Sequence, residues 1–497
     1  MTTIAHHLPA LQVIVPMLTA PLVMLLKPAG LARAAAIAAS LFAFAIAIAM
    51  TMGVLDGHIY TYRMGSWPAP YGIELAVDRF SVLVLLIVTG ASSFALLAGQ
   101  RSVDADISHD RQPLFYSAWL LALAGLSGIP VSADAFNIFV FMEISSLASY
   151  VLIAGGSNRR ALPAVFKYLI MGTIGATFYL IGIGLIYLMT GTLNLEDMAQ
   201  RISGVEDVNP IIVAAGFVTV GLALKAAIFP LHVWLPNAYT YAPNTVTVFL
   251  AACGTKVSIY LLLRFDLAVF QGNLVEHAFH FAAFLMPLAV LGILVGSTVA
   301  MFEKDIKRLL AYSSIAQIGY ILLGASLVTI AGLTASTLHI FNHALAKGTL
   351  FLAVACLATQ CTGYRLSQLG GAAKKMPWTA GALVVSGFSL IGIPGTAGFI
   401  SKWYLISAAY EQGSLGIALI VVLVISSLMA VVYIWRIVES IYFGEPTSDL
   451  SSVREAPIAM LVLTWAAALL NIYFGLVPEL PVSLSSSAAD ILLGPTP

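Results

Sequence analysis

Long apolar runs, each closed by a short polar or turn-rich break, recur along the whole chain. Runs long enough to cross about 30 Å of hydrocarbon as helices lie near 9–26, 34–53, 79–99, 114–131, 134–154, 164–190, 209–231 and 244–264. They continue near 278–302, 309–329, 332–360, 378–409, 414–443 and 456–478. The pattern predicts an all-α polytopic membrane protein of about fourteen transmembrane helices. Only SGIPVSAD separates the fourth segment from the fifth. Between the second and third, the polar-aromatic stretch GHIYTYRMGSWPAPYGIELAVD predicts a small hairpin or cap on the outer face. The Ser-rich tail after Pro481 is expected to be loosely ordered.

Composition agrees with this pattern. Charged residues are 9% of the 497 and hydrophobic residues 60%, against about 25% charged in ordinary soluble proteins. Mean hydropathy is +0.96. Lys plus Arg and Asp plus Glu both total 23, so net charge points to no nucleic-acid partner. No Walker A or dinucleotide glycine pattern is present, and no nucleotide or other cofactor is expected. Cys253, Cys356 and Cys361 lie in apolar stretches without CxxC spacing and read as packing residues. No residue pattern assigns a metal site.

Basic residues orient the chain. Loops after odd-numbered segments hold Lys27, Arg33, Arg101, Arg111, Arg159, Arg160, Lys304, Lys307, Arg308, Arg365, Lys374, Lys375 and Arg454, against Arg63, Arg79, Arg201 and Arg264 on the other side. This bias of 13 to 4 places the odd loops in the cytoplasm and both termini outside. The first segment has no Lys or Arg ahead of it and Lys27 and Arg33 behind it, which suits a retained helix.

Six cations remain, and four of them sit within apolar segments: Lys225, Lys256, Lys347 and Lys402. Glu143 lies alone in DAFNIFVFMEISSLASYVLIA (134–154). A charge at a helix centre costs about 2.5–3.5 kcal/mol on insertion scales. Five such groups at similar depth in five segments predict a polar row within the membrane plane. His339, His343 and Lys347 extend it at i, i+4, i+8 on one helical stripe. Groups that gain and lose protons near neutral pH, bridged by water, form a proton relay. A single buried lysine could be structural, but four lysines with one resident carboxylate make poor glue between helices. Pro230 after Lys225, and GIPGTAG before Lys402, are helix breakers in two of these segments. Paired breakers mark transporter sites built on inverted repeats. YLIMGT (168–173) parallels ALAKGT (344–349), and Lys225 parallels Lys402, at offsets of 176 and 177.

GSWPAPYGIELAVD (65–78), FNIFVFMEISSLASYVLI (136–153), LKAAIFPLHVWLPNAYTYAPNTVTVFLAACGTKVSIYLLLR (224–264), EKDIKRLLAYSSIAQIGYILLG (303–324) and IPGTAGFISKW (393–403) resemble the antiporter-like family. That family holds the proton-translocating subunits of respiratory complex I, of Mrp-type sodium/proton antiporters and of membrane-bound hydrogenases. The chain looks nearest to D-type Mrp subunits. The resemblance implies helices 4–8 and 9–13 as inverted repeats with helices 7 and 12 broken. It divides the chain into 1–113, 114–270, 271–443 and 444–497. Its helix-5 glutamate and helix-7 lysine match Glu143 and Lys225, its helix-8 lysine Lys256, and its helix-11 HAxxK core His343 and Lys347, with His339 a turn away. The helix-12 position is Lys402, where the complex I subunit nearest in length has glutamate; the lysine and the absence of a long C-terminal extension favour the Mrp branch. The implied activity is proton translocation within a multisubunit sodium/proton antiporter of the plasma membrane, a transporter subunit rather than a stand-alone enzyme. Its expected partners are the other subunits, lipid, protons and sodium. A proton-pumping subunit of a redox complex and a scaffold subunit are the alternatives.

Overall fold

Each apolar segment becomes a helix because hydrocarbon offers no partner for backbone N–H and C=O groups, which the helix satisfies internally. The computed structural model describes residues 3–26, 28–271, 281–361, 363–445 and 453–494. Lys27, the start of the expected 278–302 segment and the last three residues of the tail lie outside the described residues. Among the described residues the membrane helices are α1 (Leu8–Leu25), α2 (Ala29–Leu55), α3 (Arg79–Ala98), α4 (Gln112–Val131), α5 (Ala135–Ala154) and α6 (Ala161–Thr190). The seventh is broken into α7a (Asn209–Ala226) and α7b (Leu235–Tyr241). There follow α8 (Asn244–Leu263), α9 (Phe281–Phe302), α10 (Ile306–Ser326) and α11 (Ile330–Ala358). The twelfth is broken into α12a (Pro377–Ile391) and α12b (Ala397–Tyr410), and α13 (Gly413–Phe443) and α14 (Ile458–Leu476) complete the set. Among the described residues, thirteen helices are long and apolar enough to cross a membrane. The fourteenth crossing is the twelfth segment, whose two halves are each too short alone. The 57–78 stretch does form a hairpin, with β1 (Tyr60–Arg63) antiparallel to β2 (Glu74–Val77).

The chain forms two five-helix repeats, α4–α8 and α9–α13, and the odd helix number inverts the second against the first. Local chemistry marks their common register. Asp134 caps α5 by accepting from the Asn137 N–H at 2.7 Å, and Asp305 caps α10 by accepting from the Arg308 N–H at 3.1 Å. Each aspartate also forms an isolated antiparallel bridge, Asp134 to Asn194 and Asp305 to Arg365. Asp305 and Arg365 follow Asp134 and Asn194 by the same 171 positions (305 against 134, 365 against 194). The two sequence matches at 176 and 177 are out of this register. Lys225 closes α7a before its break, whereas Lys402 lies in α12b after its break. Short small-residue matches aligned by chance; the caps and bridges carry the repeat.

The tail is also more ordered than expected. Glu479–Leu493 forms α15. Leu484, Ala488 and Leu492 recur at i, i+4, i+8 and are buried, while Thr337 of α11 donates to the Ser485 carbonyl at 3.2 Å. The serines between these positions hid the apolar stripe.

Candidate functional site: a buried row of ionisable groups

Both breaks are built from the local sequence. α7a ends at Ala227 in the left-handed region (φ 55°), and the Trp234 indole donates to the Leu224 carbonyl at 2.9 Å, folding the unwound stretch back on the helix end. Lys225 is therefore held beside backbone that no longer continues the helix. Its base packs closely on α6, because a Cβ on Gly221 would lie 2.6 Å from the Gly175 carbonyl. α12a ends at Gly392 (φ 90°), and Pro394 lacks the N–H to resume a helix.

The Lys225 Nζ donates to Glu143 Oε1 at 3.0 Å and to Ser146 Oγ at 2.8 Å, joining α7a to α5. Ser146 follows Glu143 by three positions and shares its face. Lys225 is 7% exposed, while the Glu143 side chain keeps 24% of its surface. A cavity of about 30 Å³, lined by Lys225, Ser145, Ser146, Ser149, Gly254 and Ser258, extends from Lys225 to α8. That is room for a water with several polar partners.

Lys256, on the same stretch of α8, is fully buried and donates to its own helix at the Ala251 carbonyl, 2.6 Å away. It lies within electrostatic reach of His339, His343 and Lys347. Lys347 donates to the Leu310 carbonyl at 2.7 Å and to the Ser313 hydroxyl, both on α10. The His339 and His343 rings stack with centroids 6.1 Å apart. His339 is pinned on both sides: Nε2 donates to Gln317 Oε1 at 2.9 Å, and Nδ1 meets the Ser401 hydroxyl at 2.8 Å. An amide oxygen only accepts, so the neutral ring carries its proton on Nε2 and accepts from Ser401. Both ring nitrogens of His343 lack a protein partner. The row thus passes through one loosely held imidazole.

Lys402 ends the row. Its ammonium donates to the Ile391 carbonyl at 2.8 Å, the Leu390 carbonyl at 3.2 Å and Ser427 Oγ at 3.2 Å, and lies 4.8 Å from the centre of the Tyr320 ring. The last carbonyls of α12a favour a cation. Lys225 and Lys402 lie on opposite sides of their breaks in sequence: the Lys402 ammonium returns to the end of α12a, whereas the Lys225 ammonium reaches across to α5. Of the seven sequence-predicted residues, Glu143 and Lys225 are ion-paired, His339, His343 and Lys347 share one stripe of α11, Lys402 follows the Ser401 that bonds His339, and the serine-lined cavity leads from Lys225 to the stretch of α8 that carries Lys256. Gln317, Ser146, Ser313 and Ser401 were missed, being common helix residues that only the packing of α5, α10 and α12b selects. Lys307, counted with the loops, is instead buried, donating to the Ala242 carbonyl at 2.7 Å with its ammonium over the Tyr364 ring. Among the described residues no three His, Cys, Asp or Glu side chains converge as metal ligands.

Comparison with known proteins adds the family. Residues 132–430 match the family described as NADH:quinone oxidoreductase/Mrp antiporter, transmembrane. The chain is 40% identical to NADH-quinone oxidoreductase subunit N of Desulforudis audaxviator (strain MP104C), over 91% of this chain and 90% of that protein. It is 29% identical to the D-type subunit of the Na(+)/H(+) antiporter of Bacillus subtilis (strain 168), over 98% of this chain and 97% of that protein. Among solved structures, a chain of the Mrp complex from Dietzia sp. DQ12-45-1b superposes with a TM-score of 0.89 at 28% identity, covering 100% of this chain and 98% of that one.

Proposed function

The chain belongs to the NADH:quinone oxidoreductase/Mrp antiporter transmembrane family, and from that premise we propose that it is the proton-translocating subunit of a multisubunit sodium/proton antiporter. The observation that carries the reading is the Lys225–Glu143 pair at 3.0 Å, which begins the row and is the only ion pair within it among the described residues. Its strength depends on distance. When the two are close, the carboxylate stabilises the ammonium; when they separate, burial penalises it. The change between the two arrangements drives a proton onward. The proton then moves through the serine-lined cavity to Lys256, along His343 and Lys347, and out at Lys402. Glu143, Lys225, Lys256, His339, His343, Lys347 and Lys402 are the residues assigned to this path. Sodium, as the counter-ion, and the plasma membrane, with both termini outside, complete the proposal. The boundaries 113/114, 270/271 and 443/444 separate its working repeats from the flanking helices.

The surface of α5 supports partner subunits. Phe136, Val140, Leu147 and Val151 form an exposed stripe, and the partly exposed Glu143 falls within it. A carboxylate facing lipid is costly, so a neighbouring subunit covers this face.

The 40% identity to subunit N of an NADH-quinone oxidoreductase favours a second reading, in which the same relay is driven by a redox complex. Purifying the intact complex separates the two: flavin or iron–sulfur absorbance marks the redox motor, and its absence with sodium-dependent proton movement marks the antiporter. Lys225→Met tests the relay itself. The complex should assemble and lose proton movement, whereas loss of assembly would assign Lys225 to scaffolding.

A further inference from the structure

One buried acid lies outside the row. Asp266 is 0% exposed, in the π-helical stretch Arg264–Gln271 that extends α8. Such stretches recur at functional sites. The Thr219 hydroxyl of α7a donates to its Oδ1 at 2.6 Å, while its Oδ2 has no partner. No cation pairs with it among the described residues. The nearest in sequence, Arg264, is taken by Asp78 and lies over the Phe80 and Tyr260 rings. A carboxylate sealed here without a counter-charge would be costly, and a protonated acid would not. Its place matters as much as its burial. Thr219 precedes Lys225 by six positions on α7a, about 9 Å along the axis. By the orientation from the basic loops, this end of α8 lies in the outer half of the membrane.

We propose that Asp266 is a proton-binding site that connects the outer side of the membrane to Lys225. It stores a proton as the neutral acid. When Lys225 has passed its own proton to Lys256, the Asp266 O–H bond breaks, an N–H bond forms on the neutral Lys225 amine through intervening water, and a carboxylate remains. That carboxylate keeps the Thr219 hydrogen bond until a proton from the outer side restores the acid. Thr219 is a positioning residue: it steadies the charged form without carrying the proton.

This inference rests on the relay reading, so Lys225→Met is measured beside it. Asp266→Asn keeps shape and the contact with Thr219 but cannot carry a proton. In intact complexes in vesicles, infrared spectroscopy should show the carbonyl stretch of a protonated carboxylic acid in the unmodified protein and lose it in Asp266→Asn. Proton movement by the assembled Asp266→Asn complex should fall at least tenfold. If that variant does not assemble, Thr219→Val decides. It should assemble, slow proton movement several-fold and shift the acid band to higher frequency, since the carboxyl loses a hydrogen bond. Wild-type proton movement by assembled Asp266→Asn, or by Thr219→Val, overturns the Asp266 site while a silent Lys225→Met leaves the relay standing. Full movement by Lys225→Met overturns the relay itself.

Discussion

The two histidines of α11 differ in what holds them, and that difference is testable one residue at a time. His339 is tied to Gln317 and Ser401, so His339→Ala strands the buried Gln317 amide oxygen, at about 1–3 kcal/mol for an unsatisfied group, and leaves the Ser401 hydroxyl only its bond to the Gly398 carbonyl. His343 has no protein partner on either ring nitrogen, so His343→Ala removes little stability. As a proton-carrying group it should cost roughly 100-fold in transport, the lower range for acid–base groups. Thermal melting of the purified complex and gradient-driven proton movement on the same preparation should separate the two: His339→Ala lowers stability most, His343→Ala lowers transport most. Equal and negligible transport effects would remove histidine from the path. The charged members of the row were legible in the sequence because each is expensive in hydrocarbon and stands alone in an apolar run. Their partners were not legible, since Gln317 and the serines gain meaning only when α10 and α12b approach α11. Asp266 was hidden for a similar reason: next to Arg264 it reads as part of a loop ion pair, but that arginine pairs with Asp78.

At the level of elements, the break in the twelfth helix offers a matched pair of substitutions. Gly392 and Gly395 both have positive φ, 90° and 85°, so alanine at either is strained by about 1–2 kcal/mol. A Cβ on Gly392 would also lie 2.8 Å from the Lys402 Cδ, whereas one on Gly395 meets nothing within 4 Å. Both variants should lose similar stability, but only Gly392→Ala should push Lys402 off the Leu390 and Ile391 carbonyls and depress transport. Equal transport in the two would mean that the placing of Lys402 at the break is incidental. The sequence revealed that α7 and α12 are broken, through Pro230 and GIPGTAG. It misplaced the register, because the marks that carry it are two single capping aspartates, Asp134 and Asp305, and their backbone bridges, rather than a run of matching residues. α15 escaped for the opposite reason: its apolar stripe of three residues is diluted by the serines between them.

For the whole molecule, the helix count was readable because thirteen spans satisfy length and hydropathy outright and the remaining one is split by its own glycines. The proposed orientation rests on the basic loops and is checked by labelling. Cysteines placed at Ser157 and Lys374 should react only from the cytoplasmic side, and one at Gly57 only from outside; reaction of Gly57 and Ser157 from the same face would break the fourteen-helix path. The central claim is that the charge of Glu143, rather than its shape, governs Lys225. Replacing the pair as Glu143→Gln with Lys225→Met removes both charges together, leaves neither uncompensated and should preserve assembly without restoring transport, while Glu143→Asp keeps the charge with a shorter reach and should retain part of it. The most direct measurement is gradient-driven proton movement by the assembled Glu143→Gln complex, with assembly quantified on the same membranes. The account predicts an intact complex that moves few or no protons; full proton movement by that complex would contradict it.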